Sequence, residues 1–459
     1  MGFSGAVFLY YFLPGALALY FLCPKGWRRG LLLGESLVFY AWAGPKYLPL
    51  LLGITVLGWG FGLLMEKLTS PRSRKIAFIA FVLMGLSPLL LCKYGDFLLS
   101  GMGTLTGTSL PLLRLGLPLG ISFYTFSVLS YGTDVYRGKG AEKNLLSFAL
   151  YMTFFPKLTS GPIARYGDME DCLKSPQVTL PKAAHGVSRF VIGLGKKVLI
   201  ADQLALLVSA CKGSSQQTVL LTWLYALGYT LQLYFDFSGY SDMAIGLGEL
   251  LGFSLPENFS YPYMAKSLTD FWRRWHMTLG SWFRDYLYIP LGGNRKGKLR
   301  WMLNLLIVWG ATGLWHGVGW NFILWGLFFG ILLMGEKLFL LRHLNKSRFW
   351  GRVYVWVCLL ISFILFDNTN LSAAFGYVRG LFGGLPLAST ESLYLLRSYG
   401  ILLILGLLGA TPLPKKLWQR VKNVPCMQVL EPVGLGLLLL LCTAYILDGS
   451  FVSFMYFRF

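Results

Sequence analysis

Long runs of apolar residues recur from one end of the chain to the other. Several approach or reach the roughly 20 residues that a membrane-spanning helix needs, and they lie near 5–23, 46–65, 76–92, 187–210, 318–341 and 430–447. Shorter runs, broken by glycine or proline, are typical of half-spanning or buried segments, and they lie at 30–43, 240–253 and 302–315. The pattern predicts an all-α polytopic membrane protein with about ten to twelve spans and additional interfacial and re-entrant helices.

The composition supports a membrane protein. Hydrophobic residues make up 55% of the 459 positions and charged residues only 13%, whereas about 25% of an average soluble domain is charged. The first apolar run contains Pro14, lacks a basic segment before it and is followed by LCPKGWRRG rather than a small-residue cleavage site. We therefore expect it to be a retained first helix and not a signal peptide.

Basic residues outnumber acidic ones, with 41 Lys and Arg against 20 Asp and Glu and a formal net charge of +21. They fall in short clusters between apolar runs, as the positive-inside rule predicts for cytoplasmic loops. Clusters at 25–29, 67–75 and 137–143 are therefore expected in the cytoplasm, with the N-terminus outside. This pattern favours contact with an anionic lipid bilayer over nucleic acid binding, and the excess charge leaves room for an anionic cytoplasmic donor or carrier.

The whole chain, 1–459, is predicted to be a single membrane domain, because no repeat or low-complexity linker divides it. Residues 1–140 have the character of plain spans with basic connections, whereas 141–335 is dense in aromatic, glycine, proline and charged residues. Residues 336–459 return to plain spans, interrupted by a polar stretch at 411–426 that we expect on the cytoplasmic surface. Any chemistry is expected in the middle region.

The segment SLTDFWRRWHMTLGSWFRDYLYIPLGGNRKG, residues 267–297, has the start and stop signals of one helix. Ser267 is a candidate N-cap, and Pro290 ends the helix. Helical spacing places Trp272 and His276 on one face and arginines on the next. Such a helix is typical of the membrane interface, where aromatic rings lie at headgroup depth. The site candidates within it are Trp272, Arg273, Trp275, His276 and Arg284.

Two of the four histidines, His276 and His316, lie in the unusual middle region. His316 stands within GLWHGVGWNF, and an ionisable ring in apolar sequence normally faces a bundle interior or a water-filled cavity. The alternative is a ring satisfied by a backbone carbonyl or a Ser/Thr hydroxyl. Nearby glycines favour function, because they let another chain or a ligand approach the ring; they are Gly310, Gly313, Gly317 and Gly319. A neutral imidazole exchanges protons near pH 7, so general base is the natural role.

A metal site is not predicted. Two histidines without an HExxH pattern are a poor ligand set, and the nearest carboxylates in sequence, Asp270 and Asp285, belong to the predicted interfacial helix. The seven cysteines show no CxxC spacing and are expected to be free thiols. No GxSxG, P-loop or dinucleotide-binding glycine pattern stands in a supporting context.

Three carboxylates, Asp236, Asp242 and Glu249, lie in the apolar sequence of 231–263. A charged carboxylate in such surroundings needs an Arg, Lys or hydroxyl partner, or a wet cavity. For Asp236 and Asp242 we expect a structural role, in which they brace the passage that the histidines line.

Three segments together resemble the membrane-bound O-acyltransferase family. They are YFDFSGYSDMAIG, ENFSYPYMAKSLTDFWRRWHMTLGSWFRDYLYIPLGGNRKG and GLWHGVGWNFILWG. The likeness is strongest to the bacterial branch of alginate O-acetyltransferase membrane proteins and their D-alanyl-teichoic-acid relatives, and it is dense over about 115–335. The most specific feature is a histidine after FWRRW with a second inside LWHG, 40 positions later.

The resemblance implies a helical bundle in the bacterial cytoplasmic membrane, built around a central funnel or tunnel. It implies His316 as the catalytic residue and His276 as a second functional position. The cosubstrate is then an acyl thioester, acetyl-CoA or an acyl carrier protein, that arrives from the cytoplasm, and no bound cofactor is expected. The acetyl group passes outward to an extracytoplasmic polysaccharide or acetyltransferase partner, with His316 at the narrow waist of the passage.

Three further positions follow from this resemblance. Trp315 and Asn304 are candidates to line the tunnel and to donate hydrogen bonds to the tetrahedral oxyanion. The terminal segment 451–459, FVSFMYFRF, is either an aromatic membrane anchor or the aromatic tail of the alginate-type proteins. In the second case Tyr456 is a candidate to accept the acyl group transiently.

Two other functions remain open from the sequence. The first keeps the chemistry but transfers D-alanine from an acyl carrier protein to teichoic acid. The second is a transporter or lipid flippase that uses the passage for permeation and the histidines as proton relays, although the chain lacks visible repeat symmetry. The aromatic tail within the same chain favours acetyl transfer.

Overall fold

The computed structural model describes residues 2–344 and 346–449, and all regular secondary structure within them is helical. The chain forms two compact units. The first comprises the residues up to Phe190 together with Met243–Pro256, and the second comprises Val191–Asp242 together with the residues from Glu257 onward.

The boundaries that the sequence predicts within the chain differ from the boundaries of these two compact units. The sequence regions meet near residues 140 and 335, whereas the compact units meet at 190, 242 and 256. The single membrane domain stays a prediction. Tyr456 lies outside the described residues.

Eight helices belong to the first unit. They are α1 (Leu13–Leu22), α2 (Arg28–Ala43), α3 (Leu48–Lys67), α4 (Pro71–Thr106), α5 (Ile121–Tyr136), α6 (Leu145–Thr153), α7 (Phe155–Leu158) and α8 (Tyr166–Lys174). A π-helical turn, Phe8–Phe12, precedes α1. Helices α4 and α5 pack closely at Gly132, because a Cβ atom there would lie 2.1 Å from the ring of Phe81.

Three helices follow, and two of them belong to both units. They are α9 (Leu180–Gly195), α10 (Asp202–Gly213) and α11 (Val219–Leu250). Helix α9 begins in the first unit and ends in the second, whereas α11 begins in the second and ends in the first. A π-helical turn, Lys196–Ala201, joins α9 to α10.

Ten further helices belong to the second unit. They are α12 (Leu268–Trp272), α13 (Met277–Phe283), α14 (Lys298–His316), α15 (Trp320–Gly335), α16 (Leu341–Leu344), α17 (Arg348–Asp367), α18 (Leu371–Phe382), α19 (Thr390–Gly409), α20 (Leu413–Val421) and α21 (Met427–Leu447). Side-chain hydrogen bonds cap the N-termini of several helices. At the start of α17, for example, the Ser347 side chain accepts a hydrogen bond from the backbone N–H of Trp350.

Six helical segments of the described residues are long and apolar enough to cross a membrane. They are Pro45–Lys67, Pro71–Thr106, Trp320–Leu344, Arg348–Asp367, Thr390–Gly409 and Met427–Leu447. A shorter apolar helix, Phe8–Leu22, covers the first predicted run. These helices confirm the predicted all-α polytopic membrane protein, and the larger number of spans stays a prediction.

The segment from Ser267 is two short helices, so the prediction of one long helix was wrong. The cap itself is present, because the Ser267 hydroxyl accepts a hydrogen bond from the Asp270 N–H at 3.0 Å. Helix α12 ends at Trp272, and His276 precedes α13 with a left-handed backbone of φ 44° and ψ 53°. This conformation is uncommon for a residue other than glycine. Trp272 and His276 therefore do not share a face of one helix.

The break at His276 has a cause far away in the sequence. The backbone carbonyl of Asn258 accepts a hydrogen bond from the Met277 N–H at 3.0 Å, and the carbonyl of Arg274 accepts one from the Ser260 N–H at 3.0 Å. Backbone groups that would bond within a continuous helix are thus paired with the loop after α11.

Helices α14 and α15 lie against each other at paired glycines. A Cβ atom at Gly313 would lie 2.3 Å from the carbonyl oxygen of Phe322, and one at Gly326 would lie 2.3 Å from the carbonyl oxygen of Trp309. A Cβ atom at Gly317 would lie 2.1 Å from the Phe322 ring. Gly313 and Gly317 therefore allow the close approach of α15, which is one of the two alternatives expected for them; the approach of a ligand to the His316 ring stays a prediction.

Candidate active site

A cavity of about 550 Å³ lies in the second unit, with walls from α12, α13, α14 and the end of α15. Five of the predicted site residues line it: Trp272, Arg273, Trp275, His276 and Arg284. The other three that the structure describes, Asn304, Trp315 and His316, are not among the residues lining it.

His276 stands in the wall of this cavity and is itself almost fully buried. Its Nδ1 atom lies 3.0 Å from the Oδ1 atom of Asn258. The ring of Phe237, on α11, meets the imidazole edge to face with centroids 4.6 Å apart. Burial lowers the pKa of His276, which keeps the ring neutral at physiological pH.

His316 is the last residue of α14 and is also buried, with 6% of its surface exposed. The rings of Trp325 and Phe366 meet its imidazole edge to face, at centroid distances of 4.9 and 5.1 Å. An aromatic cage of this kind excludes bulk water from the ring.

The face of α14 that carries His316 is the face that lines the cavity. Leu305, Val308, Trp309 and Thr312 contribute to the wall at helical spacing. His316 follows Thr312 by four positions and therefore lies on the same face, one turn of about 6 Å further along the axis. The ring is thus one turn beyond the cavity wall. A passage open to both sides of the membrane, which the resemblance implies, stays a prediction.

Trp315 brings the two histidines into one neighbourhood. Its ring centroid lies 4.5 Å from that of His316 and 6.1 Å from that of His276. Two imidazoles that are 40 positions apart in sequence therefore converge on a single indole. The sequence pattern alone paired these residues by motif, and the structure brings them together in space.

The lining of the cavity is cationic. Arg273, Arg284 and Lys337 contribute to it, and no carboxylate is among the described residues that line it. Arg284 pairs with Asp285 at 2.7 Å, whereas Arg273 and Lys337 form no ion pair with a carboxylate among the described residues. A cleft with one sign of charge concentrates ligands of the opposite sign, so the cavity favours an anion.

The carboxylate next to Lys337 is already engaged. Glu336 is fully buried and accepts hydrogen bonds from the backbone N–H groups of Leu268 and Thr269, at 2.5 and 2.9 Å, and from the Thr269 hydroxyl at 2.7 Å. It therefore caps the start of α12 and fixes the cavity wall to α15.

The predicted tryptophans build the apolar part of the wall. The Trp272 ring packs on Trp309 and Phe329, with centroids 4.7 and 4.9 Å apart. Trp275 is buried and stacks on Phe271 at 5.5 Å.

Asn304 has a different place from the one expected. It is fully buried, and its amide nitrogen donates to the carbonyl oxygens of Leu291 and Gly293 at 3.2 and 2.9 Å. Because both N–H groups bind the backbone of the loop before α14, they position that loop and leave no donor for an oxyanion.

Asp236 and Asp242 have the lysine partners expected from the sequence, whereas the partner of Glu249 is a histidine, which was not expected. Asp236 pairs with Lys197 at 2.7 Å, Asp242 with Lys196 at 2.6 Å, and in the first unit Glu249 with His185 at 2.7 Å. Lys197 also contacts Asp202 at 2.6 Å, and this cluster is at most 3% exposed. Asp202 was not recognised from the sequence, because its partner is defined only by the folded chain.

Asn258 and Lys337 are site residues that the sequence reasoning missed. Asn258 lies inside the quoted motif ENFSYPY, but its neutral side chain gives no charge signal in an apolar segment. Lys337 follows a long apolar run, where a lysine reads as the end of a span. Among the described residues, no group of three or more His, Cys, Asp or Glu side chains is placed to hold a metal ion.

The model of the MBOAT, membrane-bound O-acyltransferase family, matches residues 112–367, which contain both histidines and the cavity. This chain belongs to that family. It is therefore an acyltransferase, and its apolar helices make it a multi-pass membrane protein.

Curated relatives extend the match beyond the family segment. A protein of Azotobacter vinelandii named "Probable alginate O-acetylase AlgI" is 41% identical over 389 residues, which cover 83% of this chain and 78% of the relative. A peptidoglycan O-acetyltransferase of Helicobacter pylori is 34% identical, over 82% and 77% of the two chains. A teichoic acid D-alanyltransferase of Bacillus subtilis is 30% identical, over 58% and 69%.

Proposed function

We propose that this acyltransferase moves an acetyl group from a cytoplasmic thioester to a polysaccharide outside the cytoplasmic membrane, with His316 as the general base. The observation that carries the proposal is the convergence of His276 and His316 on Trp315 beside a cationic cavity. The acetyl cargo is supported by the relatives named for alginate and peptidoglycan O-acetylation.

In the proposed reaction, the neutral imidazole of His316 takes the proton from an acceptor hydroxyl as its oxygen attacks the thioester carbonyl carbon. The tetrahedral intermediate collapses with cleavage of the C–S bond, and the imidazolium returns the proton to the departing thiolate. General base catalysis of this kind contributes about 10²- to 10⁴-fold to the rate. The Trp315 indole is the proposed donor to the oxyanion, in place of Asn304.

The charge of the cavity supports an anionic donor. Acetyl-CoA and the prosthetic group of an acyl carrier protein both carry phosphate, which Arg273 and Lys337 at the wall would attract. An extracytoplasmic acetyltransferase or the polysaccharide itself is the proposed acceptor. The transient acylation of Tyr456 is proposed on the resemblance alone.

The test of this function is acetyl transfer by purified protein in liposomes, with acetyl-CoA or an acetylated carrier protein as donor. His316→Ala should lose at least about 10²-fold in rate, because the base is removed. His343→Ala is the matched control, since His343 is exposed and its Nδ1 atom lies 3.1 Å from the carbonyl oxygen of Phe339. Transfer by His316→Ala at the rate of the control variant would contradict the assignment.

D-alanyl transfer is the second candidate, favoured by the Bacillus subtilis relative. The same assay decides between the two cargoes when acetyl and D-alanyl thioesters of one carrier protein compete. Preferential use of the D-alanyl thioester would replace acetyl transfer as the function.

A further inference from the structure

Asn258 makes an unusual set of contacts around His276. Its Oδ1 atom lies 3.0 Å from His276 Nδ1 and accepts hydrogen bonds from the Thr278 N–H at 3.3 Å and the Thr278 hydroxyl at 3.0 Å. Its Nδ2 atom donates to the Ser241 hydroxyl at 3.2 Å. Only 1% of Asn258 is exposed, so these contacts are not shared with solvent.

These contacts decide which way the amide of Asn258 points. A backbone N–H can only donate, so the atom that faces Thr278 N–H must be the carbonyl oxygen of the amide. A flipped amide would set its NH₂ group against that N–H. The Ser241 hydroxyl can donate or accept, so its contact with Nδ2 is compatible with this orientation, and the Thr278 N–H decides it.

The orientation of the amide in turn sets the tautomer of His276. Its Nδ1 atom faces a carbonyl oxygen and must donate, so a neutral ring carries its proton on Nδ1 and its lone pair on Nε2. The Phe237 ring holds the same imidazole from another side. The backbone directly after His276 is also held, because the Asn258 carbonyl accepts a hydrogen bond from the Met277 N–H.

We infer that Asn258 is a positioning residue that locks His276 in the Nδ1–H tautomer and so presents Nε2 as a proton acceptor during acyl transfer. The inference rests on the proposed acyl transfer and adds His276 to it as a second proton acceptor beside His316, whereas the tautomer itself does not depend on that function. An imidazole in the wrong tautomer offers N–H where an acceptor is needed, and its contribution to proton transfer is lost.

The experiment is ¹⁵N NMR of the full protein in lipid bilayers, labelled with [¹⁵N]histidine. The spectrum of His276→Gln identifies the signals of His276 among the four histidines. We expect a protonated Nδ1 and an unprotonated Nε2 in the wild type and in Asn258→Asp, which keeps the acceptor. Asn258→Ala should lose the pure Nδ1–H signature and show protonated Nε2.

Thr278→Val is the matched control, because it removes a donor to the same oxygen and leaves the acceptor of His276 in place. It should keep the wild-type tautomer. A wild-type His276 protonated on Nε2 overturns the inference, and so does an unchanged signature in folded Asn258→Ala. If that variant does not fold, the wild-type and Asn258→Asp spectra still decide the tautomer.

Acetyl transfer by the same variants tests the catalytic part of the inference. Asn258→Ala should lose about 10²-fold in kcat, within the range of general base catalysis, whereas Thr278→Val should stay near the wild type. A changed tautomer with full activity overturns the positioning role. Absence of acetyl transfer in the wild type would overturn the proposed function and leave the NMR result standing.

Discussion

Two adjacent lysines, Lys196 and Lys197, differ in how deeply their ion pairs are buried. Lys197 contacts Asp202 and Asp236, and these three side chains are at most 3% exposed. The pair of Lys196 and Asp242 retains 26% and 18% exposure. Water can compensate a charge in the second pair but not in the first, so the same substitution should have different costs.

Lys197→Met should therefore destabilise the protein much more than Lys196→Met. Removing Lys197 leaves two buried carboxylates without their cation, which costs about 3–5 kcal/mol. For Lys196→Met, the expected loss in the free energy of unfolding is about 1 kcal/mol, since its ion pair is partly solvated. Thermal unfolding of the two variants in detergent is the measurement, and equal shifts of the midpoint would contradict the argument.

At this scale the sequence predicted the need for partners but not their identity. Asp236, Asp242 and Glu249 each require a partner because of their apolar surroundings, and each has one. Asn304 shows the limit of such reasoning. A side-chain amide can donate to a ligand or to the backbone. In the folded chain the Asn304 amide donates to backbone carbonyls of the loop before α14, and the sequence does not show this.

The pair of helices α14 and α15 is the element on which His316 depends. Gly313 and Gly326 allow the two backbones to approach, and His316 follows Gly313 within the same helix. Movement of α15 away from α14 would also displace Trp325, whose ring lies 4.9 Å from His316.

Gly313→Ala should destabilise the protein and reduce acyl transfer, because its Cβ would lie 2.3 Å from the Phe322 carbonyl oxygen. Overpacking of this kind costs about 1–3 kcal/mol. Gly310→Ala is the control on the same helix, with nothing within 4 Å of its Cβ, and should be neutral or slightly stabilising. Similar thermal stability and activity of the two variants would refute the close helix contact.

Helix limits were predicted well where local signals decide them and poorly where distant contacts do. Ser267 caps α12 as its sequence indicates. The prediction that the helix continues past Trp272 was wrong, because the backbone N–H of Met277 donates a hydrogen bond to the carbonyl of Asn258 in the loop after α11. No local propensity at His276 signals a left-handed residue there.

For the whole molecule, the basic clusters between spans predict the orientation in the membrane. Residues 411–426 carry Lys415, Lys416, Arg420 and Lys422 between α19 and α21, and both of these helices are long and apolar enough to span. The positive-inside rule places this stretch in the cytoplasm.

Cys426 offers a direct measurement of that orientation, because it is exposed, whereas the other six cysteines are partly or fully buried. A membrane-impermeant maleimide should label it in inside-out vesicles and not in right-side-out vesicles. Cys426→Ser identifies the label that belongs to this position. Labelling of Cys426 in right-side-out vesicles would reverse the predicted topology.

The sequence by itself determined the helical membrane class, the family and the choice of the two histidines as candidates, because apolar runs and motif residues can be recognised within single segments of the chain. Only the tertiary structure decided that both imidazoles meet at Trp315, that Asn258 holds His276, and that Lys197 lies between Asp202 and Asp236. Those contacts join residues from different segments of the chain. Their energies depend on burial, and the side chains become buried only when the segments pack together in the folded protein.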